Sequence, residues 1–165
     1  MAEMRKHSER GPVGDQVAEN LARLRRETTA ELAAAVTKLG VPMTASTITK
    51  IETQKRRITV DELVALAAAL GVSPVTLMLP PEGDQTETVR LAERLTVPGW
   101  REAWRWMHGL TPLVARKRVP VSGLSWLATN RPYVTEEELA KIMFAAPATI
   151  AVEVLEEEVD DGPGS

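Results

Sequence analysis

Four cations, Lys50, Lys55, Arg56 and Arg57, fall within eight residues and face a single acid in that window, Glu52. Lysine and arginine at that density attract anionic oxygens, and a loop that carries them suits phosphate groups. The chain has 165 residues and a formal net charge of -3, unevenly divided. Residues 1–60 hold 11 basic against 7 acidic side chains, and residues 61–165 hold 9 against 16. A solvated face can be mildly basic; clustering is what singles out this stretch.

Residues suited to covalent or acid–base catalysis are sparse. There is no cysteine, and the two histidines are His7, in a polar N-terminal stretch, and His108, beside the tryptophans Trp100, Trp104 and Trp106. No HExxH, nucleotide-binding GxGxxG or GxxxxGK[ST] pattern occurs. Glu137 and Glu138 are adjacent and belong to the polar first turn of a helix. The sequence points away from an enzyme, with no metal or cofactor expected. No run of eighteen apolar residues and no signal-like segment is present, which reads as a cytoplasmic protein without a membrane partner.

Positioning the cationic cluster falls to helices. Aromatics make up only 4% of the chain against 44% hydrophobic residues in all. A core supplied mainly by Ala, Leu and Val predicts an all-α fold. Residues 1–13 lack periodicity and read as a flexible arm. From Gly14 the helical spacing predicts a first helix on Val17, Leu21 and Leu24 and a second on Leu32, Val36 and Leu39, opened by a Thr28/Glu31 capping box. The same apolar phase also permits one continuous helix. A third helix, at about 45–53, has Thr44 as N-cap and Ile48 and Ile51 inward. Thr59 and Glu62 cap a fourth on Leu63, Leu66 and Leu70, and Ser73-Pro74 opens a short fifth. This places a five-helix domain at 14–81. It is followed by a linker at 82–98 with a short helix near Val89 to Leu95, a Trp-containing, mostly helical or partly disordered region at 99–146, and an acidic tail at 147–165.

The stretch from Val17 to Leu79 resembles the phage-repressor type (Xre-like) helix-turn-helix domain. The resemblance is carried by Leu24-Arg25, Glu31-Leu32-Ala33, Thr47 through Glu52, Lys55-Arg56-Arg57, and Leu63 through Ala68-Ala69-Leu70-Gly71-Val72-Ser73 to Leu77. Leu39 to Met43, Leu70 to Pro81 and Ala103-Trp104-Arg105-Trp106 are similar to an actinobacterial subgroup of such regulators. The resemblance implies a lambda-repressor-like fold, sequence-specific binding to double-stranded DNA and a regulatory role, repressor over activator. It also implies an ion pair between Arg25 and Glu52. The chain departs from the family in a shorter turn between helices 1 and 2.

Under that reading, the first turn of the third helix enters the major groove, where short polar or basic groups meet base edges. Ala45, Ser46, Thr47, Thr49 and Lys50 are the base-reading candidates. Thr28, Thr29, Thr44, Gln54, Lys55, Arg56 and Arg57 are the phosphate-contacting candidates, at helix N-termini and in the basic loop. One small module buries little DNA surface, so a homodimer is expected, with the C-terminal region available to an effector or a protein partner. The acidic C-terminus supports a second reading, an antitoxin or adaptor using the helical domain as a scaffold.

Overall fold

A computed structural model describes residues 11–84, 86–115, 123–131, 133–135, 137, 138, 141 and 150–154. Helices α1 (Pro12–Leu24), α2 (Thr29–Lys38), α3 (Ala45–Glu52), α4 (Val60–Ala69) and α5 (Pro74–Met78) come first. The all-α class expected from the sequence is what these five form. Pro12 opens α1 behind Gly11, so the helix begins inside the stretch expected to be an arm. Proline at a first helical position lacks only an N–H that would have no intrahelical partner there.

Local capping decides the next four starts. The hydroxyls of Thr28, Thr44, Thr59 and Ser73 accept from the backbone N–H groups of Glu31, Thr47, Glu62 and Thr76. At Thr28 and Thr59 the capping box is complete, with the glutamate reaching back to the cap N–H. The continuous helix that periodicity allowed does not form. Arg25 and Thr28 both take extended backbone conformations between α1 and α2.

Val17, Leu21, Leu32, Val36, Ile48, Ile51, Leu66 and Leu77 form one buried cluster. Each side chain of this size contributes about 1.5–3 kcal/mol when removed from water. Ile48 and Ile51 turn one face of α3 inward, which leaves the opposite face to solvent. Leu39, expected inward, instead caps the end of α2 and is 55% exposed.

Asn20 joins the ends of the domain. It is buried, and its side-chain amide donates to the carbonyls of Thr76, Leu77 and Leu79 at 3.2, 3.0 and 2.7 Å. These carbonyls lie at the end of α5, where a helix leaves its last acceptors unpaired. Arg23 donates to the Asn20 side-chain oxygen at 3.2 Å, completing the amide's pairing.

Beyond α5 the chain forms strands β1 (Thr88–Ala92), β2 (Leu95–Pro98), β3 (Leu113–Ala115) and β4 (Ile150–Val154), with α6 (Trp100–Met107) and α7 (Gly123–Asn130) between them. The sheet order is β1-β2-β4-β3; β4 is antiparallel to β2 and parallel to β3. Two expectations are corrected here. The stretch read as a linker with a short helix near Val89 to Leu95 is a hairpin, with Val89 opposite Val97. Part of the expected acidic tail is β4, whose β-branched Ile150, Val152 and Val154 suit a strand. The remainder of that tail, 155–165, lies outside the described residues, as do residues 1–10 of the arm. No helix among the described residues is long and apolar enough to cross a membrane.

One carbonyl is a shared polar contact between the two parts. The indole N–H groups of Trp100 and Trp104 both donate to the Pro80 carbonyl, at 2.8 and 2.9 Å. Leu79 is fully buried and clusters with Val97 and Ala103, so apolar packing accompanies the polar contact.

Substituting Asn20→Ala leaves buried carbonyls without donors and is expected to destabilise the chain by about 1–3 kcal/mol. Urea denaturation checks this: an unchanged midpoint would show that the α1–α5 clasp contributes nothing.

Candidate nucleic-acid interface

The outward face of α3 is set by the inward one. With Ile48 and Ile51 in the core, Ser46, Thr49, Lys50 and Thr53 are exposed at the three- and four-residue spacing that makes one stripe on a helix. From Ser46 to Thr53 the stripe runs about 10 Å, at 1.5 Å rise per residue. That is close to three base-pair steps, at about 3.4 Å each. Sequence reasoning missed Thr53, although the same spacing, continued by one turn, leads to it.

The hydroxyls on this face are held in defined directions. Thr49 donates to the Ala45 carbonyl at 3.1 Å and Thr53 to the Thr49 carbonyl at 2.7 Å, which leaves their oxygens as acceptors. Thr44 and Thr47 share a hydroxyl–hydroxyl bond of 3.0 Å at the start of the helix. Ser46 makes no hydrogen bond to another described side chain, so its hydroxyl keeps both roles. Ala45 and Thr47 are half-buried beside the stripe.

Two arginines are bound to acids. Arg25 approaches Glu52 with Nε to Oε1 at 2.7 Å and Nη2 to Oε2 at 3.2 Å. Its remaining terminal nitrogen donates to the Glu27 carbonyl at 2.6 Å. One planar guanidinium therefore fastens α1, the short turn and α3 together, which a lysine could not reproduce. Arg56 makes a second bidentate pair, with Glu62 oxygens at 2.8 and 2.9 Å. Glu62 is the capping-box residue of α4, so Arg56 is braced against the scaffold.

The Arg56 hydrogen bond, chiefly, and the Thr59 amide hold the Glu62 carboxyl below the usual carboxylate range, against the opposing effect of burial. The same hydrogen bond raises Arg56 above its ordinary value. Glu31 is lowered in turn by the Thr28 hydroxyl.

With Glu52 and Glu62 occupied, Lys50, Lys55 and Arg57 remain exposed and meet no carboxylate among the described residues. The sequence-derived phosphate candidates thus separate. Lys55 and Arg57 are available, and Arg56 is already paired. At the start of α2, the Thr28 hydroxyl accepts from Glu31 N and donates to Glu31 Oε2 at 2.7 Å, filling its ordinary roles. Thr29 is half-buried beside it.

Gln54 has an unusual backbone. α3 ends in a Schellman motif, with Lys55 N–H bonded to the Lys50 carbonyl at 2.8 Å and Gln54 N–H to the Ile51 carbonyl at 2.9 Å. This motif needs a left-handed residue, and Gln54 has φ +59°. The corresponding positions after α2, α4 and α6 are Gly40, Gly71 and Gly109, at +91°, +69° and +66°.

The family model described as Helix-turn-helix matches residues 21–77. Residues 21–77 are thus similar to helix-turn-helix domains, in agreement with the phage-repressor-type resemblance of the sequence. The match ends at Leu77, so the hairpin, α6 and α7 lie outside it. No curated protein and no solved structure matches the chain.

Because the folded-state Glu62 value is lowered, the stability it contributes is present at neutral pH and is lost as pH falls below about 4.3, through its lowered value. Glu62→Gln should therefore be less stable at pH 7 and show a shallower loss on acidification. Denaturant titrations from pH 7 to pH 3 measure both; parallel curves for the two proteins would remove Glu62 from the acid limb.

Proposed function

We propose that this chain is a sequence-specific transcriptional regulator, a repressor, in which α3 lies in the DNA major groove. The observation that carries the reading is the hydroxyl-rich exposed stripe of α3 together with three exposed cations, Lys50, Lys55 and Arg57, left over once the local acids are paired. Ala45, Ser46, Thr47, Thr49 and Lys50 read base edges, and Thr53 extends their row. Hydroxyls accept from or donate to several bases, while the Ala45 and threonine methyls suit the thymine methyl. Lys55 and Arg57 contact phosphates beyond the helix, with Thr29, Thr44 and the N-terminus of α2 on the other side.

Repression follows most simply from occupancy, since a bound domain excludes competitors without needing a contact to recruit anything. Two copies on a symmetric site would supply the surface that one small module lacks. The C-terminal sheet and α6 are the part available for pairing, effector binding or a protein partner.

The test is selection of DNA from a random library by the purified chain, followed by affinity measurements at two salt concentrations. A motif should enrich, and Lys50→Ala should change the preferred base or weaken that site by roughly tenfold. Joint replacement of Lys55 and Arg57 by alanine should weaken all sequences alike and flatten the salt slope by about two units. Retention of both properties by these variants would sink the proposal.

A further inference from the structure

We infer that Gln54 is a specificity-determining residue whose side-chain amide reads a base edge at the end of the α3 stripe. The inference rests on the DNA-binding reading above and deepens it.

Among four helices closed by a left-handed residue, α3 alone of those described uses a residue other than glycine. A side chain at positive φ crowds the neighbouring carbonyl, and glycine avoids that. A non-glycine residue in such a conformation points to work done by its side chain. No such work is visible within the fold. Gln54 is exposed, and its amide has no hydrogen-bond partner among the described residues. Its backbone N–H is already bonded to Ile51, so the side chain is what remains to account for.

The place and the chemistry indicate the ligand. Gln54 directly follows Thr53, the last member of the exposed stripe, and directly precedes Lys55. Phosphate oxygens only accept, and Lys55 and Arg57 already offer donors to them. A glutamine amide presents a donor and an acceptor side by side, the pattern complementary to adenine N7 and its 6-amino group. The left-handed residue stands, exposed, at the point where α3 gives way to the cationic loop.

Gln54→Gly separates fold from recognition, because the two should respond in opposite directions. The variant is expected to melt roughly 2–8 °C higher, through release of the left-handed penalty. It should also bind the selected site about tenfold more weakly and lose preference at one base pair. Its salt slope should stay unchanged. Gln54→Ala should lose the same preference without the gain in melting temperature. Equal affinity and preference in Gln54→Gly would overturn the assignment, as would absence of the thermal gain. Weaker binding to every sequence with a reduced salt slope would overturn it in favour of a phosphate contact. Lys50→Ala, measured alongside, distinguishes the readings: lost preference there with full preference in Gln54→Gly removes only the Gln54 role. Failure of the unaltered chain to select any sequence overturns both.

Discussion

The guanidinium of Arg25 is the constraint on which the exposed face of α3 depends. The chain leaves α1 and enters α2 within four residues, Arg25 to Thr28, and this turn contains no glycine to ease it. Its hold comes from Arg25, which binds the Glu27 carbonyl inside the turn and the Glu52 carboxylate at the end of α3. A helix packed only through Ile48 and Ile51 could still rotate about its own axis or slide by a fraction of a turn. A two-point ionic contact at its far end opposes both motions, and the Thr44 cap fixes the near end. Helix α3 is therefore held by its core face, by its start and by its finish.

The acids near the cationic loop shape the interface by removing charge selectively. Counted along the sequence, Arg56 and Arg57 look equivalent. In the fold Arg56 lies against Glu62 and Arg57 does not, so neighbouring arginines do different work. The half-buried Arg56–Glu62 pair also ties the loop to the first turn of α4, where the same carboxylate completes the capping box. The loop thus carries two exposed cations, Lys55 and Arg57, on a backbone braced through Arg56.

What could be read in the sequence was what is local. The capping pairs at Thr28 and Thr59 span four residues and carry their own partners, and the core positions of α3 and α4 follow helical spacing. Asn20 could not be identified as a clasp, because its acceptors lie 56 to 59 residues away. The hairpin was hidden for a different reason: its turn at Glu93 and Arg94 lacks the Asn-Gly or Gly-Gly signal that marks tight hairpins. β4 was hidden by composition, since Ile150 to Val154 precede a run of acids that dominates the charge pattern. At the interface, residue types identified the stripe, but only the fold shows which hydroxyls are already committed and which cation is paired.

Two indoles on the Pro80 carbonyl also alter what the C-terminal part can be. Had residues 82–98 been a linker, the two halves could have moved independently and communicated only by proximity. Instead, the backbone that closes the helix-turn-helix domain is the anchor of α6, and Leu79 is packed into the cluster beneath the sheet. A shift of α6 would pull on the residues to which the Asn20 clasp is attached, and through α1 would reach Arg25. The C-terminal part is therefore joined to the helical domain through the Leu79–Pro80 backbone, the same stretch that the Asn20 clasp holds.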